Sequence, residues 1–466
     1  MYKSLFANNK IINMNYKNVK QNTTRLIIFI LINISALSLK AQSAWTLKDC
    51  IDYALENNIQ LKQSKLTTLQ NKLSVEQSKA ALFPALSFST NQNMSWRPFS
   101  QSTINLTNGT MTSTKSTVNY NGSYGLNANM TLWNGGRNTK TIKQNEYAAE
   151  MSELDTEQSE NSIMEQITQL YVQMLYQKEA VNVCEAILKS SELQRDRAKT
   201  MVNVGTLAKV ELMQLEAQTT QDQYNLINAK SQLENYRFQL KQLLELPEQD
   251  NFDISETQTT DDQIITPIPS KQEVYNVALA QRPEIQSGKL NVESNKLSIK
   301  IAKAGYLPSV NLNASVGTNN ASGTHTALGE QIKNNLSNSI GLSLSIPIFD
   351  QRQNKTNVHK AQLAYQNSQL QLQDTEKKLS STIENYWLNA TTSQQQYIYA
   401  KANVESMQAS YDLVSEQFRL GLKNIVELTT GKTNLMQAEQ QMLQCKYNTL
   451  YNLAMLRFYK GETIRL

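Results

Sequence analysis

Two hydrophobic periods alternate along this chain, and each of them recurs. Around Pro84 the spacing of apolar residues switches from about 3.6 to about 2. Leu86 and Phe88 alternate with Ser87 and Ser89, and Leu126, Ala128, Met130 and Leu132 alternate with Asn127, Asn129 and Thr131. The switch repeats after Pro308. There Val310, Leu312 and Ala314 alternate with Asn311, Asn313 and Ser315, and Leu342, Leu344, Ile346 and Ile348 alternate with Ser343 and Ser345. The pattern predicts strands near 84–97, 120–134, 308–317 and 338–350, each apolar on one face and small-polar on the other. A polar loop rich in Asn, Ser, Thr and Gly separates the members of each pair.

A very long helical pattern follows each strand pair. Residues 137–203 and 352–419 contain no proline and no glycine. Ile163, Ile167, Leu170, Met174, Val181, Cys184 and Leu188 step by fours and threes, with Gln177 the one polar member. Leu226, Ala229, Leu233, Tyr236, Leu240 and Leu243 step likewise on the way back. This is the seam of helices packed side by side. At 1.5 Å per residue, 67 residues span about 100 Å, far more than a globular core needs. Gly205 and Gly421 punctuate the ends, and glycine supplies the positive φ of a tight helical hairpin.

The chain is a duplication. Offsetting 54–84 by 224 gives 11 identities in 31 positions, among them Asn71-Lys72-Leu73-Ser74 with Asn295-Lys296-Leu297-Ser298 and Pro84 with Pro308. Farther along the offset becomes 216 and aligns Gly205 with Gly421 and Val210-Glu211-Leu212 with Val426-Glu427-Leu428. The halves are 43–247 and 270–466, joined by an acidic, Pro-punctuated connector at 248–269. Each opens with a short helix (47–58; 271–281) and a second one that runs to about 82 or 306, before the proline that cannot continue it.

Charge then changes the picture. The 45 Lys+Arg against 40 Asp+Glu give a net charge of +5. Residues 1–42 hold six of the basic residues and no acid, and they contain the 14-residue apolar run from Leu26 to Leu39, with the small residues Ala41, Ser43 and Ala44 just beyond it. These features predict an export signal. Its removal leaves 39 basic against 40 acidic residues, a net charge of −1, so no basic surplus points to a nucleic acid. Three cysteines and two histidines (His325, His359) do not make a disulfide scaffold or a metal site, and nothing assembles a nucleophile, base or cofactor motif. Cys184 and Cys445 read as buried small hydrophobes. Trp96, Trp133, Tyr120 and Tyr124 flank the strands like an interfacial girdle, and Tyr386 and Trp387 read as packing within the helical wall.

An exported chain with alternating strands reads as an α+β membrane protein. Four strands cannot close a barrel, and hydrocarbon does not tolerate open sheet edges. About eight strands are the minimum, so two or more chains must share one barrel. The alternative is a trimeric adhesin or structural coiled coil with a barrel anchor; strands inserted twice between helices argue against it.

The opening WTLKDCIDYALENN and its echo SKQEVYNVALAQRPEI, the junctions LWNGGRN (132–138) and PIFDQRQN (347–354), and the turns VGTLAKVEL (204–212) and LGLKNIVEL (420–428) together carry a resemblance. Over 45–461 the chain resembles the TolC-type outer-membrane efflux proteins. Trp133-Asn134 departs from the usual Phe-Asp pair, which stands at Phe349-Asp350. The resemblance implies a homotrimer with a 12-stranded barrel, four strands per chain, continuous with a periplasmic α-helical barrel. It implies no catalysis and no cofactor. The implied function is a passive exit duct in the outer membrane of a Gram-negative bacterium, serving efflux or type I secretion. Its implied partners are a periplasmic membrane-fusion adaptor, an inner-membrane pump of RND or ABC type, and outer-membrane lipid.

The resemblance also assigns roles at the turns. Val204, Gly205, Thr206, Leu207, Leu420, Gly421 and Leu422 would form the tip at which the adaptor docks. Glu427 would form a three-fold carboxylate ring that favours cations, and Thr430 stands where the family has a second acid. Lys423 would tie the tip to an acidic partner, Glu211, and Phe418 replaces a tyrosine of that tie. Glu211 and Glu427 also admit a plainer reading, since a carboxylate early in a helix favours the macrodipole.

Overall fold

The computed structural model describes residues 44–466, apart from 97, 100–102, 108–109, 115–117, 248, 250, 256–260 and 324–325. The predicted export signal and His325 lie outside the described residues.

Helix α1 (Leu47–Asn57) starts at a reciprocal cap: Thr46 Oγ1 accepts from the Asp49 amide (3.2 Å) and Asp49 accepts from the Thr46 amide (3.0 Å). Helix α2 (Ile59–Ala80) ends four residues before Pro84, and strand β1 (Ala85–Trp96) follows. The polar loop beyond it contains a short hairpin, β2 (Thr103–Thr107) with β3 (Thr110–Thr114), that the alternation did not predict. Strand β4 (Val118–Trp133) returns to helix α3 (Arg137–Asn203), and α4 (Lys209–Leu243) runs back beside it. The connector carries one turn of helix, α5 (Asp261–Ile264).

The second half repeats the order: α6 (Lys271–Gln281), α7 (Pro283–Ala304), β5 (Ser309–Ala321), a short α8 (Leu328–Asn334) in the loop, β6 (Ser337–Ser345), α9 (Gln353–Arg419) and α10 (Ile425–Tyr459). Both 67-residue helices therefore lie where the patterns put them. Two strands end elsewhere: β5 runs past 317 to Ala321, and β6 stops at Ser345, short of 350. Ser345 pairs with Ser309, the first residue of β5, so Ile346 and Ile348 have no partner strand to extend along.

The main sheet is antiparallel in the order β1-β4-β5-β6. Its register places Leu86 opposite Ala128, Phe88 opposite Leu126, Met130 opposite Leu312, and Leu342 opposite Leu312 on its other side, so all the apolar positions share one face. A bulge between Thr131 and Trp133 pairs Trp133 with Val310, which turns the indole onto that apolar face as well. The face is bare: Phe88 is 68% exposed and Ile340 79%. β1 and β6 are the open edges.

Next to the sheet, helices α2, α3, α7 and α9 lie side by side; farther away the order is α4, α3, α10, α9. α3 and α9 run the full length, while shorter helices stack end to end between and beside them. Asn58 joins one stack, capping α2 through the Leu61 amide (3.1 Å) and donating to the last carbonyl of α4, Leu243 O (3.2 Å). Arg282 joins the other, its guanidinium over the rings of Phe458 (5.1 Å) and Tyr459 (4.3 Å). One lateral edge of the chain is thus β1-α2-α4 and the other is β6-α9.

The largest core forms where α1 and the connector pack on the middle of α3, with Ile167, Tyr171, Met174, Leu240 and Ile254 buried. Gln177, the polar member of the seam, is buried and donates to Ala229 O (3.0 Å). Cys50, Cys184 and Cys445 are free and buried. Burial and the Asp49 carboxylate push the Cys50 thiol up to about 12. Tyr386 packs against Tyr451 (6.1 Å) and Tyr459 (5.7 Å), and Trp387 lies partly buried beside it.

Candidate gate at the helical tip

At the end remote from the sheet the two helical hairpins reverse in one way. After α3, the Gly205 amide donates to Val202 O (3.0 Å) and the Thr206 amide to Met201 O (2.9 Å), with Gly205 at φ 79°. After α9, the Gly421 amide donates to Phe418 O (3.0 Å) and the Leu422 amide to Gln417 O (2.9 Å), with Gly421 at φ 76°. Only glycine adopts this left-handed conformation without strain.

Around the turns Val204 and Leu422 are exposed at 68% and 72%, with Leu420, Val210 and Val426 also exposed. Leu207 is different: it is half-buried, in a small apolar core of Ala198, Leu215, Ile425 and Leu428, and Phe418 packs there too. The turns thus present a rim of aliphatic side chains held by a buried layer immediately behind it. Val210 and Val426 belong to the rim as well, although in the sequence they stand out only as repeat partners.

The charged residues are arranged unlike the expectation. Lys423 Nζ pairs with Glu427 Oε1 at 2.5 Å, one turn along its own hairpin, and not with Glu211. The reason is local: Asn424 caps α10, accepting from the Glu427 amide (3.0 Å), while Glu427 Oε2 accepts from the Asn424 amide (3.3 Å). That capping box fixes the carboxylate within reach of Lys423. The lysine, then the Asn424 amide, hold the Glu427 carboxyl below the usual glutamate range. Among the described residues, the Glu211 side chain has no hydrogen-bond or ion-pair partner, and Thr430 is exposed.

Higher up lies a junction with no sequence signal. Lys432 of α10 and Asp222 of α4 form an ion pair with side chains 4% and 2% exposed. Ser191 of α3 donates to Asp222 Oδ2 (2.5 Å) and accepts from Lys432, and Gln218 donates to Asp222 Oδ1 (2.9 Å). Beside it, the Tyr411 hydroxyl of α9 accepts from Gln194 (2.8 Å) and lies 3.2 Å from Ser190 Oγ, both on α3. Removing one member of such a buried pair costs about 3–5 kcal/mol. A lysine on a helix reads as solvated, and nothing in Lys432's own neighbourhood in sequence announces Asp222, 210 positions away. No group of residues that could hold a metal ion occurs among the described residues, and no helix among them is long and apolar enough to cross a membrane.

The architecture is shared with known proteins. The chain is 24% identical over 321 residues to the outer membrane protein TolC of Escherichia coli, a match covering 67% of this chain and just under two thirds (64%) of that relative. It is 20% identical to the alkaline protease secretion protein AprF of Pseudomonas aeruginosa, over 82% of this chain and 77% of AprF. Among solved structures, the Campylobacter jejuni CmeC outer membrane channel has the same fold, with a TM-score of 0.73 at 20% identity over 90% of this chain and 87% of that one. The family model described as "Outer membrane efflux protein" matches residues 50–245 and 274–462, one segment in each repeat, and the chain belongs to that family.

Proposed function

We propose that this protein is the outer-membrane exit duct of an efflux or type I secretion system. The observation that carries the reading is a four-stranded sheet, bare on its apolar face and open at both edges, that continues directly into 67-residue helices. The two edges are different surfaces, so copies join head to tail and the ring closes by rotation. Three copies give twelve strands, β6 of one against β1 of the next. The helical edges fit the same joint: α2 exposes Leu66 and Leu73, and α9 exposes Leu363 and Leu370, each pair seven residues apart. Seven-residue spacing is what neighbouring helices of a tube interdigitate.

Lipid covers the apolar face. Tyr120 and Trp133 stand 13 residues apart on β4, about 43 Å along a strand and about 30 Å once it is tilted by 45°, which matches the hydrocarbon core. The helices then reach about 100 Å into the periplasm. At the tip the aliphatic rim of Val204, Leu420 and Leu422 docks the adaptor, which connects the duct to an inner-membrane pump. Glu427 from each copy lines the constriction with Lys423 paired to it, and with Thr430 in place of a second acid the cation preference is mild. Substrate passes without chemical change, so the protein acts as a conduit and not as an enzyme.

Two measurements test this. The purified protein should sediment as a trimer and conduct in planar bilayers; a monomer, or a trimer without conductance, rejects the reading. Lys423→Glu should raise conductance several-fold by setting a second carboxylate against Glu427, and unchanged conductance removes the gate role of this pair.

A further inference from the structure

The bonds between the α3–α4 and α9–α10 hairpins are not spread evenly along them. At the level of Ser190, Ser191 and Gln194 they are polar and directional: Tyr411 binds α3, and Lys432 reaches across to Ser191 and Asp222. Ser191 lies 14 residues before Gly205, about 20 Å above the turn. Between that level and the turns, no hydrogen bond or ion pair joins the two hairpins among the described residues. Arg195 pairs with Asp196, Arg419 with Glu416 and Lys423 with Glu427, each within its own hairpin. What joins the hairpins there is the apolar layer of Ala198, Leu215, Ile425 and Leu428, flanked by Leu207 and Phe418.

These two kinds of contact respond differently to motion. Apolar contacts are non-directional and permit sliding at little cost. A buried ion pair with its remaining lone pairs satisfied cannot be parted without leaving a charge stranded in the interior. We propose that the Lys432–Asp222–Ser191 junction, with Tyr411 beside it, is the fixed pivot on which the tip opens. The pair stays made in the closed and open states, and the hairpins slide past each other only in the segment of about 20 Å below it. The proposal rests on the reading of the protein as a duct gated at its tip. It differs from a latch in sign, because a latch would break on opening and this junction does not.

Bridging thiols at the two levels separates these possibilities. In a Lys423→Glu background with Cys50, Cys184 and Cys445 changed to alanine, one variant carries Ser190→Cys with Tyr411→Cys, and another carries Leu207→Cys with Phe418→Cys. Each is treated with a short thiol-to-thiol cross-linker and recorded in planar bilayers. The upper bridge should leave conductance within two-fold of the unbridged channel, and the lower bridge should reduce it at least five-fold, reversibly with reductant. Closure by the upper bridge, or none by the lower one, overturns the pivot. A Lys423→Glu channel that conducts no better than wild type overturns the tip gate, and the pivot with it.

Discussion

The two tip turns share their backbone and differ in their side chains. Each closes on a glycine in the left-handed region with the same pair of hydrogen bonds, at φ 79° and 76°. Yet α10 begins with a complete capping box and an adjoining ion pair, whereas α4 begins at Ala208, whose side chain offers no cap. A turn can therefore be copied as geometry while its stiffness changes by substitution. The second-repeat turn is braced through Lys423, Asn424 and Glu427; the first-repeat turn is held by Gly205 and by Leu207 in the apolar layer.

The strongest way to break this comparison is at the glycines. A Cβ added at either position meets no atom within 4 Å, so the cost of an alanine there comes from φ alone. Gly205→Ala and Gly421→Ala should each destabilise the tip by about 1–2 kcal/mol, read as faster hydrogen exchange of the neighbouring amides. Losses that differ several-fold would show that the backbones are not equivalent. Exchanging the caps comes next. Asn424→Ala should cost about 1 kcal/mol, and Ala208→Asn should gain a similar amount, both followed by exchange at Glu427 and Glu211.

The smallest effect is the response to pH. The Glu427 carboxyl is held low in the folded protein, so the stability it contributes is present above the unfolded glutamate value of about 4.3. That contribution fades as pH falls through the lowered folded value. Acidification should therefore loosen the second-repeat turn and raise conductance only below about pH 4, and Glu427→Gln should abolish the response. Glu211→Gln should leave it intact; an equal effect at both sites would remove the distinction drawn here between the turns.

Residue pattern made most of the architecture legible. The long helices, the four strands and the two turns rest on periodicity and on single prolines and glycines, which act locally. What escaped depended on partners distant in sequence or on the end of a partner strand. The alternation of Ile346 and Ile348 continues a strand that β5 does not accompany. Lys423 finds its acid four residues away because a cap positions it, and Lys432 is buried because Asp222 and Ser191 come from two other helices. The joint before each long helix is a further case. Gly135 and Gly136 adopt φ 68° and 69°, and their repeat counterparts Gln351 and Arg352 adopt φ 53° and 66° without being glycine. Surrounding contacts impose that bend: the amides of Asn138 and Asn354 bond back to Asn134 (3.2 Å) and Asp350 (2.7 Å).

The unlike edges of the chain, β1-α2-α4 and β6-α9, have a genetic consequence. In a head-to-tail ring every copy must offer two sound joints, so a subunit damaged at one edge still enters through the other and spoils its ring. In a ring of three with equal expression of damaged and sound copies, only about one ring in eight is wholly sound. Lesions at the edges should therefore be dominant, whereas a copy that never folds leaves the sound rings untouched.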